Sequence, residues 1–101
     1  TCYAQPASDG LRTADVLDCL SDFYREEPFV VVSERSPSTK ATLGSNVAHL
    51  TARVDERTGT VIGIGAIDNL GKGASGAAVQ CANLALGLDE TAGLSTVGTY
   101  P

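Results

Sequence analysis

Residues 66–76, Ala-Ile-Asp-Asn-Leu-Gly-Lys-Gly-Ala-Ser-Gly, constrain the fold more than any other stretch. They join a β-branched, glycine-dotted run at 60–67 to an alanine-rich run at about 73–86. The first has the composition of a strand and the second that of a helix, so a polar turn must lie between them. Gly71, Gly73 and Gly76 spell a formal G-x-G-x-x-G at this strand-to-helix junction, the position of a dinucleotide fingerprint. The rest of that unit does not follow. A Rossmann half needs a second parallel strand after the helix and an acidic residue about 20 positions on. Asp89 and Glu90 come too early, and residues 94–98 offer no room for the remainder. The phosphate-loop pattern fails as well, because Gly65 to Gly71 is one residue too long and Gly73 stands where a magnesium-binding Ser or Thr belongs.

Before this junction the expected order is strand, helix, strand, long loop and hairpin. Asp9-Gly10 makes a turn, and Thr13 is read as the N-cap of a helix with Asp15 in its first turn, where a carboxylate suits the helix dipole. Val16, Leu17, Leu20, Phe23 and Tyr24 recur at helical spacing as one apolar face. Pro28 is expected to stop the helix, and residues 29–32 follow as a short buried strand. Residues 33–45 form the one polar loop long enough to carry function. Residues 47–54 alternate, with Ala48, Leu50, Ala52 and Val54 on one face and His49, Thr51 and Arg53 on the other. Residues 55–59 close a hairpin onto 60–67, with Gly59 suited to a left-handed turn position. The expected buried set is Val16, Leu17, Leu20, Phe23, Leu50, Val54, Ile62 and Ile64.

The last helix carries Ala74, Ala77, Ala78, Val79, Cys81, Ala82, Leu84 and Ala85 nearly all round, with Gln80 and Asn83 as its few polar residues. Such a helix expects cover on several sides, more than a chain of 101 residues easily provides. It is therefore expected to dock on a further domain. Seven basic against twelve acidic residues give net −5, which excludes a phosphate-backbone partner. No apolar run approaches the roughly 18 residues of a membrane span. Cys2, Cys19 and Cys81 have no paired spacing that would suggest a zinc site. They are expected to be reduced, mostly buried thiols of a cytoplasmic protein.

Ala66-Ile67-Asp68-Asn69-Leu70, Lys72-Gly73 and Gly76-Ala77-Ala78-Val79-Gln80 together resemble the C-terminal motif of the N-acetyl-gamma-glutamyl-phosphate reductases of arginine biosynthesis. That family belongs to the aspartate-semialdehyde and glyceraldehyde-3-phosphate dehydrogenase-like superfamily. Glu27-Pro28-Phe29-Val30, Pro37-Ser38-Thr39-Lys40, Gly44-Ser45-Asn46, the turn at 55–59 and Leu86-Gly87-Leu88 fall in the same order. The resemblance covers nearly the whole chain and about the last third of such an enzyme.

It implies an α+β domain with a mixed or antiparallel sheet and helices packed on one side. Residues 1–101 would form a single substrate and oligomerisation domain or fragment, with 73–101 as a final helix and tail that dock on the enzyme's own N-terminal nucleotide domain. The implied partners are that domain, a small-molecule substrate and a homo-oligomer, without nucleic acid or membrane. The implied cofactor of the full-length enzyme is NADP. In the implied chemistry a cysteine thiolate attacks the acyl phosphate, and hydride delivery to the resulting thioester gives the aldehyde.

No catalytic or metal residue is expected within this chain. Cys2-Tyr3 echoes the context of the family's nucleophile, but Ala4-Gln5-Pro6 does not continue that motif. His49, the only histidine, stands mid-strand without a recognisable relay partner. The resemblance carries a nicotinamide-orienting role onto Asn69, with Lys72 and Gly73 as neighbours in the cofactor site. The alternative role for Asp68 and Asn69 is to build the turn and cap the final helix. Ser38, Thr39 and Lys40 are the candidate substrate-binding residues, because a lysine can neutralise a carboxylate or phosphate. Two other functions fit the same residues, a related aminoadipyl-phosphate reductase of lysine biosynthesis and a non-catalytic assembly module.

Overall fold

The computed structural model describes residues 1–100. Four strands form one mixed sheet in the order β1 (Cys2–Ala4), β4 (Thr60–Ile67), β3 (Ala48–Asp55), β2 (Val30–Val32). β4 is antiparallel to both β1 and β3, and β2 runs parallel to β3. The 55–59 turn closes the β3–β4 hairpin through the Thr58 and Gly59 amides, both bonded to the Asp55 carbonyl, and Gly59 takes φ 69° as expected. The α+β class and the mixed sheet inferred from the sequence are those observed.

Helix α1 (Thr13–Phe23) begins one residue earlier than its capping was read. Arg12, not Thr13, is the N-cap, in extended geometry, and its amide donates to Asp15 Oδ2 at 2.9 Å. The Arg12 guanidinium returns to Asp15 Oδ1 at 2.9 Å, which lowers the Asp15 carboxyl and raises Arg12 relative to their usual values. Thr13 is thereby free for another task. Its Oγ1 accepts from the Val54 amide at 3.0 Å, satisfying a donor on the stretch of β3 that the shorter β2 does not reach. The helix ends at Phe23, well before Pro28, with the Tyr24 amide bonded back to Leu20.

Strand register assigns the sheet faces. Cys2, Leu50, Ala52, Gly63 and Gly65 share one face, and Leu20 of α1 lines a cavity of about 310 Å³ with four of them, Cys2, Leu50, Gly63 and Gly65. The other face carries Tyr3, Val31, His49, Thr51, Arg53, Ile62 and Ile64. The alternation read for β3 is thus correct, but burial does not follow one face: Thr51 and Ala52 are both 1% exposed.

The tightest packing lies where the loop enters β3, at Phe29, Thr42, Ser45, Asn46 and Val47, together with Thr51, Ala52 and Ala66. This corrects the expected core. Val16, Leu17, Leu20, Leu50, Val54, Ile62 and Ile64 are only half-buried, and Phe23 is 77% exposed. One three-turn helix cannot cover a four-stranded sheet, and a chain this small has little else to cover it with. The cysteines are a second correction. All three are free and exposed rather than buried, standing on the edge strand, on α1 and on the open side of the last helix.

The polar loop is not structureless, since α2 (Thr39–Thr42) forms within it, capped by Ser38 Oγ accepting from the Lys40 amide at 3.3 Å. The last helix also starts differently from its expected span. A π-helical turn (Gly71–Ser75) precedes α3 (Gly76–Ala85). After α3 the chain doubles back over the loop. Asn83 Nδ2 donates to the Glu90 and Ala92 carbonyls, Ser95 accepts from the Asn46 amide at 2.8 Å, and the Thr99 amide donates to Leu43 at 2.8 Å.

Candidate functional site

β4 ends at Ile67, and Asp68 turns its end into a fixed platform. Asp68 Oδ1 accepts from the Leu70 amide at 2.9 Å and Oδ2 from the Gly44 amide at 2.5 Å. Its own carbonyl accepts from the Gly73 amide at 2.8 Å. The amides of Leu70, Gly44 and Gly71 hold the Asp68 carboxyl below its usual value, because they stabilise the charged form more than the neutral one. One side chain therefore ties the turn after β4 to the end of the Ser38–Lys40 loop. That link to Gly44, 24 residues away, was not legible in the sequence.

The glycines of the formal fingerprint are spent on this packing. A Cβ on Gly71 would strike the Ser45 carbonyl, and one on Gly76 would strike Asn46 Oδ1 and the Gly71 backbone. At Gly73 it would lie 3.1 Å from the Asp68 carbonyl. Close approach of two chain segments, rather than a phosphate cradle, accounts for all three. The turn starts from Leu70 in helical geometry, so Asp68 and Asn69 shape the turn without capping α3 itself.

Asn69 follows on this platform, exposed, with no side-chain hydrogen bond among the described residues. It lines a cavity of about 330 Å³ with Thr39, Lys40, Leu43, Ile67 and Asp68. The fold thus brings two of the three candidate substrate residues to the candidate cofactor residue, across a sequence gap of about thirty positions. Ser38 faces elsewhere. It lines a neighbouring cavity of about 620 Å³ with Lys40, His49 and Tyr100, where the Lys40 ammonium stands 5.3 Å from the Tyr100 ring centre. Lys72 is also turned away from Asn69. Its ammonium donates to Gln80 Oε1 at 2.5 Å and lies 5.4 Å from the Phe29 ring centre. Gly73 sits beneath Asn69 as backbone only.

A free carboxamide at a cavity rim offers one donor pair and one acceptor, the complement of a ligand carboxamide. The Asn69 cavity lies at the small end of the range for ligand sites. Its donor set fits the amide end of a nicotinamide. Among the described residues no cluster of three or more His, Cys, Asp and Glu could hold a metal ion, and no helix is long and apolar enough to cross a membrane.

The family described as semialdehyde dehydrogenase, dimerisation domain, matches residues 1–69. Among curated relatives, the N-acetyl-gamma-glutamyl-phosphate reductase of Saccharopolyspora erythraea is 55% identical over 79% of this chain and 24% of its own length. Those of Nostoc ellipsosporum and Corynebacterium glutamicum are 46% and 44% identical over the whole of this chain, which covers 29% and 30% of their lengths. The chain therefore spans less than a third of the relatives it matches. It belongs to the semialdehyde dehydrogenase dimerisation-domain family and is similar throughout to the N-acetyl-gamma-glutamyl-phosphate reductases.

Proposed function

We propose that residues 1–101 are the C-terminal substrate and oligomerisation domain of a cytoplasmic, NADP-dependent reductase. The whole enzyme converts N-acetyl-glutamyl 5-phosphate to N-acetyl-glutamate 5-semialdehyde in arginine biosynthesis. The observation that carries this reading is the single cavity shared by Asn69, Thr39 and Lys40, in a chain whose relatives bear that enzyme's name.

The cofactor supplies hydride when bound. This chain's part is to orient and to assemble. The Asn69 carboxamide binds the cofactor amide and fixes which face of the ring meets the substrate, an effect of orientation rather than of chemistry. Gly73 keeps the floor of the turn thin, and Lys72 holds the turn from within. Lys40 provides positive charge for an anionic substrate group, with Thr39 and Ser38 beside it. The nucleophile and the nucleotide fold are supplied by the N-terminal domain, on which the exposed side of α3 docks. The sheet face bearing Tyr3, Val31 and Ile62 pairs with a second copy.

The test is a rate comparison on the full-length enzyme. NADPH oxidation should depend on N-acetyl-glutamyl phosphate, with kcat/KM at least about a hundredfold above that for an aminoadipyl phosphate. An inverted preference assigns the enzyme to the lysine-pathway reaction, equal rates overturn the assignment to a single substrate, and no turnover with either leaves an assembly module.

A further inference from the structure

One carboxamide in α3 meets three separate segments of the chain. Gln80 Oε1 accepts from Asn46 Nδ2 at 2.9 Å and from Lys72 Nζ at 2.5 Å. Gln80 Nε2 donates to Glu90 Oε1 at 2.6 Å. Asn46 is 2% exposed and stands where the polar loop enters β3, while Lys72 belongs to the turn after Asn69 and Glu90 to the chain following α3. The arrangement needs an amide. Its oxygen serves two donors, and its nitrogen serves a carboxylate that a second carboxylate in its place would repel. The amide also stands between a cation and an anion, which polarises both of its bonds in the same sense.

The surroundings leave Asn46 few other options. Its Oδ1 is buried without a partner and is pressed against the helix start at Gly76. Nδ2 is then the group through which Asn46 is bonded to α3, and Gln80 is its acceptor. Lys72 likewise spends its ammonium on Gln80 and the face of buried Phe29. Loosening Gln80 removes one tie from each of two segments at once, the turn that presents Asn69 and the loop end that presents Lys40, and leaves the Asp68 link as the main hold between them.

We propose that Gln80 is a positioning residue for the reductase reaction, setting the distance between the Asn69 turn and the Lys40 loop through Lys72 and Asn46. This rests on the cofactor reading of Asn69, and the experiment separates the two. In the full-length reductase, Gln80→Glu keeps both acceptor contacts but sets a carboxylate against Glu90. It should raise the KM for NADPH or lower kcat by about five- to tenfold, measured well below Tm. The double variant Gln80→Glu with Glu90→Gln exchanges amide and carboxylate, restores a donor between them and keeps the net charge. It should return both constants to within about twofold of the parent.

A Gln80→Glu enzyme with kinetic constants within about twofold of the parent overturns the proposal. So does a double variant that regains the parent Tm without regaining the constants, since the contact between residues 80 and 90 would then serve folding and not the positioning of the site. Asn69→Ala measured alongside locates the failure. If it leaves NADPH kinetics unchanged, the cofactor reading falls; if it impairs them while Gln80→Glu does not, only the Gln80 proposal falls.

Discussion

At the scale of single residues, Asp68 has the most to hold together. Backbone amides from both sides of the site converge on its carboxylate, and Asn at that position would turn an NH2 toward at least one of them. Folding lowers the carboxyl below its unfolded value of about 3.9. Its contribution is therefore fully present above that value and is lost as pH falls through the lower folded one. Asp68→Asn should accordingly lower Tm at pH 7, and the gap to the parent should narrow below about pH 4. A gap that stays constant down to pH 3 would contradict this role. Asp68 and Asn69 were legible in the sequence as a polar strand end. The reach to Gly44 was not, because nothing local in residues 39–44 announces that its amide needs a distant acceptor. Gly71 and Gly76 show the same limit from the other side. Their spacing imitates a nucleotide fingerprint, and only the position of Ser45 and Asn46 reveals that close packing is the cause.

At the scale of elements, alternation located β3 and 3.6-residue spacing located α1, because both are local properties; composition and the flanking turns marked β2, β4 and the last helix, and the first strand rested on the family resemblance. Burial was less legible, since it depends on what covers a face. Phe23, Val79 and Leu84 are apolar at helical spacing and yet exposed, which marks α1 and α3 as surfaces awaiting cover. The half-buried sheet face opposite α1 carries the oligomer prediction. Ile62 lies beside Tyr3 and Arg53 in the pairing register, with Tyr3 71% exposed. If that face pairs with a second copy, Ile62→Lys in the full-length enzyme buries a cation beside Arg53 with no counter-charge at the contact and should weaken association at least about tenfold. Sedimentation across a concentration series reads this directly. An unchanged mass, or a parent enzyme that is strictly monomeric, would remove the sheet face as the interface.

At the scale of the whole molecule, the chain is too open to be complete in itself. Its radius of gyration is 15.2 Å, against about 13 Å for a compact domain of this length. Its accessible surface is 6693 Å², roughly a quarter more than a self-contained monomer of this mass would expose. That surplus is of the size that one subunit contact and one domain contact remove, as the proposed reductase requires. In the proposed reductase this domain acts through what it presents at its edge, and Asn69, on the cavity it shares with Thr39 and Lys40, is the residue proposed for that role. The most direct measurement compares kinetics and melting of Asn69→Ala in the full-length reductase. The account predicts kcat/KM for NADPH reduced by the equivalent of about 1–3 kcal/mol, with Tm close to the parent because Asp68 still holds the turn. A fallen Tm with kcat/KM for NADPH within about twofold of the parent would contradict it and leave Asn69 a residue of the turn alone.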